Sequence, residues 1–456
     1  MMEWLQNLIS VVGNFVWGPV TLVLIVGTGI FLTFRLGFIQ IRELPYALKL
    51  TFSKSDKNNK DKGDISHFQS LMTAMAATLG IGNITGVATA VMLGGVGALF
   101  WMWLAAFFGM ATKYGEAILA VKYRVTNSKG EISGGPMYYI EKGLGWKWLA
   151  VLFALFGFLA SFGIGNMTQA NTVAGSFEAN FGVNPWITGV VLMVLTGLVL
   201  LGGIKGIGRV TGIFVPFMAL FYLAGGLIII FMNITEVPQA LGFIISEAFN
   251  PSAATGGAVG MAIRYGIARG VFSNEAGLGS APIAAAAAKT DYPGRQALVS
   301  MTGTFIDTII VCSITGLTIV LSGLYVGHEN ASSLTGEAFE FFLPGVGNML
   351  VVIGIMFFAY STIIGWSYYG EKCFGYLFGD QNAVIYKVLF VITVLIGSAL
   401  ELEMVWGIAD IFNALMALPN LIALLLLSPV IVAESRKFTE IRKKEKQEEK
   451  KQSMAG

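Results

Sequence analysis

Charge is what this 456-residue chain has least of: 12% of its residues are Asp, Glu, Lys or Arg, where soluble domains carry about 25%. With 55% hydrophobic residues and a mean hydropathy of +0.72, that deficit excludes an ordinary soluble domain and points to a membrane protein. A net charge of +2 gives nucleic acid no electrostatic footing. Cysteine is nearly missing. Cys312 and Cys373 are the only two, too few for a disulfide framework or a cysteine metal motif. His67 and His328 are the only histidines, which argues against zinc or haem chemistry. The phosphate loop GxxxxGK[ST], HExxH and CxxC are absent, so ATP-driven pumping and metal-assisted hydrolysis have no motif to rest on. The leader MMEWLQNLIS has no Lys or Arg and the apolar segment after it is about 24 residues long, so it is not expected to be a signal peptide. No resident cofactor, nucleic-acid partner or obligatory protein partner is indicated.

Long apolar runs and glycine are abundant. The 57 glycines exceed the soluble average of about 7%, and small residues let membrane helices approach closely. Eleven segments suit a bilayer core of about 20 residues: 11–34, 66–97, 98–121, 148–174, 186–204, 210–233, 257–288, 298–326, 345–370, 384–400 and 404–432. Lys and Arg alternate between the loops. Seven lie in 35–65, five in 122–147, two each near 205, 290 and 380, and eight after 433, which puts 26 of 29 on one side. By the positive-inside rule the N-terminus is outside, the C-terminus is cytoplasmic, and the number of spans is odd. The tail RKFTEIRKKEKQEEKKQ mixes both signs without apolar periodicity and reads as a solvated, frayed helix or a disordered end, with a weak contact with anionic lipid as the alternative.

Two spans are interrupted. RGVFSNEAGLGSAPIAAAAA (269–288) places Arg269, Asn274 and Glu275 among glycines inside an apolar stretch. Backbone groups in lipid must be satisfied, so such an interruption is tolerated only where it is buried in protein or lines a cavity. The expected layout is a half-helix 257–272, an unwound section 273–279 and a second half-helix capped by Ser280, with Pro282 in its first turn. The stretch AATLGIGNITGVATA (76–90) breaks the second segment in the same way, with Asn83 or Thr85 as cap of its outer half. Five segments beginning with a break (66–233) and five more beginning with a break in opposite orientation (257–432) point to a transporter with inverted repeats. Residues 1–65 then form an extra N-terminal span and loop, and 433–456 a charged tail. Half-helix N-termini, each worth about half a positive charge, suit a carboxylate, and unwound carbonyls suit Na⁺.

GIGNITGVATAVMLGGVGALFWMW (80–103), GEISGGPMYYIEKGLG (130–145) and NEAGLGSAPIAAAAAKTDYPGRQALVSMTGTFIDTIIVC (274–312) resemble the alanine/glycine:cation symporters, also called sodium:alanine symporters, over essentially the whole chain. The resemblance implies an all-α membrane protein of about eleven transmembrane helices. Its fold would be a five-plus-five inverted repeat (LeuT-like) with one extra N-terminal helix and two discontinuous helices. It also implies import of alanine or glycine with Na⁺, or with H⁺ in some members. A fainter similarity to the neurotransmitter:sodium symporters, through Gly80-Ile81-Gly82-Asn83, implies that Asn83 binds sodium and that Gly80 and Gly82 meet the substrate carboxylate.

Other pocket residues follow from position. At about 100° per residue, Ser161, Gly165, Thr168, Gln169 and Thr172 share an arc. Gln169 and Asn171 are expected near the substrate, since membrane hydroxyls often bond only their own backbone. Thr78 precedes the first break, and Phe272 and Ser273 border the second. Ser361 and Thr362 are candidate sodium ligands by the same fold resemblance, with local backbone capping the alternative, and Trp366 is a pocket wall. Small break residues backed by Phe272 and Trp366 suit alanine and glycine. Among buried ions, Asp307 is open to binding Na⁺, carrying a proton or pairing with Arg264 or Arg269, while Arg269 and Glu275 are gate candidates. A structural ion pair is the favoured reading for Asp307 and Glu275. Lys113 and Glu116, at i,i+3, read as a snorkelling local pair, and Asp410 is undecided. The leading reading is cation-coupled symport of small amino acids. The rivals are proton coupling, a small-solute channel, a membrane enzyme and an amino-acid sensor.

Overall fold

The computed structural model describes residues 2–53, 62–249, 257–328, 330–400 and 403–455. Among them the only strands are Val125–Thr126 and Ile132–Ser133, paired antiparallel; the rest is helix and short connections. Among the described residues, eight helices are long and apolar enough to cross a bilayer: Val11–Arg35, Ala98–Lys122, Lys147–Phe181, Gly203–Met232, Pro293–Ser322, Gly347–Phe378, Asp380–Ala399 and Gly407–Leu426. They fall on the expected segments, and the shorter apolar helix Pro185–Leu200 occupies another. The two remaining expected spans are each a pair of helices, His67–Thr78 with Thr85–Gly94 and Gly257–Asn274 with Ala281–Ala286. Two helices between spans, Val237–Phe249 and Ala331–Phe342, were not anticipated, being too short and too mixed to register as spans.

Local chemistry sets many of the helix starts. Ser66 and Gln69 form a reciprocal capping box, which satisfies two orphan N–H groups at the start of the first broken span. Proline opens the helices at Pro19, Pro185 and Pro293, where a missing N–H costs nothing. Two spans are wound more loosely in their middles. Gly163–Met167 and Phe305–Cys312 are π-helical, and each such turn rotates the residues after it relative to a regular helix.

The charged tail is helical, one of the two forms expected, but it is not left to solvent along its length. It belongs to one helix, Ser428–Ala455, and its first half is docked. Glu434 pairs with Lys122 at 2.5 Å, Glu445 with Arg295 at 2.5 Å, and Arg442 with Glu43 while lying over the Tyr46 ring. The mixed charges are partnered across elements, which a search for apolar periodicity does not reveal.

The long helix Gly347–Phe378 packs directly on the first broken span. A Cβ on Gly365 would lie 2.6 Å from the Ala77 nitrogen and 2.8 Å from its Cβ. Overfilling such a contact costs about 1–3 kcal/mol. Gly365→Val is therefore expected to lower the thermal unfolding midpoint of the detergent-solubilised protein, read by intrinsic fluorescence, while Gly175→Ala, at a position with open space, leaves it unchanged.

Candidate functional site

The first break spans Leu79 to Ile84. Gly80 is extended, and Ile81–Asn83 form one 3₁₀ turn. The Asn83 side chain turns inward: Oδ1 accepts the Gly80 N–H at 2.9 Å. The expected side-chain cap is not made. Ile84 holds the cap position, because Asn83 is committed to Gly80 and Thr85 is already helical. Carbonyls freed by the break are met by other helices. Just past the break, the Ile84 carbonyl accepts the Ala88 N–H at 3.3 Å and takes a second hydrogen bond from Thr335 at 3.2 Å. Ser361 Oγ lies 3.1 Å from the Ala76 carbonyl, 3.2 Å from Leu79 and 2.8 Å from Phe358, and Thr362 Oγ1 lies 3.0 Å from the Phe358 carbonyl. Two hydroxyl protons thus serve three carbonyl oxygens. The surplus of oxygen lone pairs is the donor chemistry that a hard monovalent cation takes, since such ions prefer oxygen ligands.

The second break begins later than expected. The helix runs through Asn274, and the chain then turns through Glu275 at φ 56°, Gly277 at φ 90° and Gly279 at φ 85°. A left-handed glutamate is uncommon, and Glu275 is held there by its side chain. Trp366 Nε1 donates to Oε1 at 2.9 Å and Ser280 Oγ donates to Oε2 at 2.5 Å. Ser280 therefore occupies the cap position without capping; its hydroxyl is spent on Glu275. The helix after it, Ala281–Ala286, is shorter than the alanine run suggested.

The breaks meet. A Cβ on Gly82 would lie 3.2 Å from Ser273 Cα and 3.2 Å from the Phe272 ring. Asp307, from the π turn of the Pro293–Ser322 span, ties them together. Its carboxylate accepts from Asn83 Nδ2 at 2.7 Å, from Ser273 Oγ at 3.0 Å and from Thr308 Oγ1 at 2.7 Å. Next to it, Asn274 Nδ2 donates to Thr308 Oγ1 at 3.0 Å. The ion pairs favoured from sequence do not form. Among the described residues no Lys or Arg lies within 4.0 Å of Asp307 or Glu275. Arg264 donates to Asn14 at 2.6 Å, and Arg269 lies over the Phe272 ring at 5.6 Å. Six helical positions separate Arg269 from Glu275, which puts the guanidinium on the cavity wall and the carboxylate behind the break.

Gln169 reaches the first break. Nε2 donates to the Ile164 carbonyl of the π turn at 3.0 Å, while Oε1 is buried without a partner and faces Gly80. The arc drawn from a regular helix is split by the π turn. Ser161 bonds Tyr386 at 3.0 Å, and Thr168 and Thr172 bond their own backbone. Asn171 donates to the Leu400 carbonyl at 2.9 Å and lines the cavity rather than the break. Gly165 is filled from outside by Trp366, which a Cβ there would strike. Thr78 is buried, with its hydroxyl 3.4 Å from the Met75 carbonyl. The cavity, about 1170 Å³, runs from Ile81, Thr85 and Phe272 to Glu337, Glu340 and Asn348. At its mouth a hydrogen bond from His328 holds the Glu337 carboxyl below its ordinary pKa, and the Asn348 and Gly345 N–H groups do the same for Glu340.

The pair Lys113–Glu116 is no snorkelling surface pair. Both are buried, and Glu116 Oε1 accepts from Asn420 Nδ2 at 2.7 Å and from the Gly279 N–H at 3.2 Å. Inspection of the sequence missed Asn420; the Pro419-Asn420 pair inside an apolar segment was the available signal. Thr335 carried none beyond being a hydroxyl in apolar surroundings.

A model of the sodium:alanine symporter family matches residues 2–452. The chain belongs to that family. It is 60% identical over 96% of its length to the sodium/alanine symporter AgcS of Methanococcus maripaludis, 98% of which is covered. It is 37% identical to the probable sodium/glutamine symporter GlnT of Bacillus subtilis, with 97% of this chain and 92% of GlnT aligned. Among solved structures, MhsT in complex with L-phenylalanine superposes with a TM-score of 0.59 at 18% identity, over 82% of this chain and 93% of that one. A Na⁺-coupled sialic acid symporter superposes at 0.55 and 15% identity, over 90% and 86%. The fold is thus that of the LeuT-like transporters, and the family member described here is a multi-pass membrane transporter.

Removing the Asp307 carboxylate takes the acceptor from Thr308 Oγ1 and leaves Asn83 Nδ2 and Ser273 Oγ only longer contacts to the residue 307 carbonyl and to Cys312 Sγ, where an unsatisfied buried donor costs about 1–3 kcal/mol. Asp307→Ala is expected to lower the unfolding midpoint in Na⁺-free detergent buffer well below that of Asp307→Asn, which keeps one acceptor oxygen. Equal midpoints for the two variants would show that the network does not hold the breaks.

Proposed function

We propose that the protein imports a small neutral amino acid, alanine or glycine, together with Na⁺ by alternating access. The observation that carries this is the meeting of the first break and the helix end before the second on Asp307, a carboxylate buried at depth with no Lys or Arg within 4.0 Å among the described residues. A buried negative charge is costly unless a positive one joins it, and a cation arriving with the substrate supplies that charge. Asn83, Ser273 and Asp307 are the proposed ligands of one cation. Ser361 and Thr362, with the Ala76 and Leu79 carbonyls, are the proposed ligands of a second. The acidic cavity mouth raises the local cation concentration.

The substrate carboxylate would lie against the backbone at Gly80 and Gly82, near the N-terminus of Thr85–Gly94, where N–H groups and the helix dipole favour an anion. Its ammonium group would meet the unpartnered Gln169 Oε1. Phe272 and Trp366 bound the space, with Trp366 pressed onto Gly165, which suits a hydrogen or methyl side chain. Arg269, Glu275 and Asn171 are assigned to the walls and supports of this path rather than to the substrate. The chain is read as two inverted five-helix halves, 66–233 and 257–432, after an extra N-terminal span. It would lie in the plasma membrane with the N-terminus outside and catalyse no covalent chemistry. Proton coupling is the second reading, because Asp307 accepts a proton as readily as Na⁺ in principle; a channel would conduct without accumulating.

Purified protein in liposomes is expected to accumulate labelled alanine only under an inward Na⁺ gradient. Equal uptake with choline or K⁺ in place of Na⁺ would remove sodium coupling and favour protons, and equilibration without accumulation would favour a channel. Asn83→Ala is expected to weaken Na⁺ activation of uptake before it reduces expression; unchanged activation would take Asn83 out of the ion site.

A further inference from the structure

The face of the second break turned away from the cavity is held by a group that the transport reading above leaves without a task. The helix Ala98–Lys122 starts beside Val237–Phe249, where Trp101 bonds the Ala248 carbonyl at 3.2 Å, and ends at the docked tail through Lys122 and Glu434. Glu116 lies near that second end, fully buried. Its Oε1 accepts from the Gly279 N–H at 3.2 Å and from Asn420 Nδ2 at 2.7 Å. Asn420 Nδ2 also donates to the Gly277 carbonyl at 2.9 Å, and Tyr139 donates to Asn420 Oδ1. Three elements thus grip one unwound loop: the Ala98–Lys122 helix, the Gly407–Leu426 span and the turn Pro136–Tyr139. The loop has no slack, since a Cβ on Gly279 would lie 2.7 Å from Phe153 and 2.8 Å from Pro136.

We propose that Glu116, acting through Gly279 and Asn420, is the positioning residue of the closure opposite the cavity: it holds Gly277–Gly279 shut while the cavity is open and lets go when the site opens to the other side. The incomplete bonding of its carboxylate fits this role. Oε2 is buried without a partner, and Lys113, one turn earlier, is not within ion-pair distance. A permanent anchor satisfies both oxygens. A half-satisfied carboxylate grips in one conformation and is left ready to exchange its bonds in another.

This rests on the alternating-access reading, so the test reads accessibility and needs no transport. Thr89 lines the cavity and both native cysteines are buried, so Thr89→Cys reports the open cavity to a membrane-impermeant maleimide. In that background Glu116→Ala is expected to slow labelling by up to about fivefold, the limit reached when the open form is the minor one, from losing one net hydrogen bond. Glu116→Gln, which keeps the accepting oxygen, stays within about twofold of the parent. Unchanged labelling in Glu116→Ala overturns the proposal. So does equal slowing in both variants, which would make charge rather than the accepting oxygen the cause. If Glu116→Ala does not fold by size exclusion, Tyr139→Phe takes its place: slowed labelling supports the closure, and a rate equal to the parent's overturns it. Failure of the parent to accumulate alanine would overturn the transport reading while leaving this labelling contrast intact.

Discussion

A helix broken in the middle of a bilayer leaves peptide groups that lipid cannot satisfy, and the rest of this structure depends on how those groups are met. Asp307 is the centre of the solution. It stands on a third span, takes a hydrogen bond from Asn83 of the first break and another from Ser273 in the last helical turn before the second, and so ties the two interruptions together. Without that carboxylate the breaks would be two separate faults.

The other buried acids divide the work. Glu275 stabilises its own left-handed backbone through Trp366 and Ser280, which fixes the turn and brings the indole against Gly165. Glu116 holds the far side of the same loop. The second break is thus fastened by carboxylates on both sides, while the first is fastened mainly by an amide and hydroxyls. Carboxylates accept strongly and do not donate, so they suit the N–H and hydroxyl donors of the second break. The carbonyls freed by the first break need donors, and Ser361 and Thr362 provide them. A cation approaching those carbonyls would compete only with weak hydroxyl donors.

The rigid parts place these groups. The unbroken helix Gly347–Phe378 brings Ser361, Thr362 and Trp366 to the breaks on successive turns. The π turns of two other spans present Gln169 and Asp307. Extra width in those turns is the means by which a long helix keeps its packing on both sides and still aims one polar residue inward.

The long apolar spans and the existence of both breaks were legible in the sequence, because hydropathy and the cost of polar backbone in lipid act locally, residue by residue. The placement of Ser361 and Thr362 against the first break was implied only by the fold resemblance, and the contact of Gly82 with Phe272 and Ser273 was not anticipated. What the sequence left open was which donor meets which acceptor. A regular helical wheel grouped Ser161 with Gln169, and the π turn separates them. Charge alone paired Asp307 with an arginine, whereas the fold gives it Asn83, Ser273 and Thr308. Glu116 and Asn420 are 304 positions apart, and only packing brings them to one loop. Burial is written in composition; partners are chosen by the geometry of helices that meet across the whole chain, so tertiary structure alone decided them.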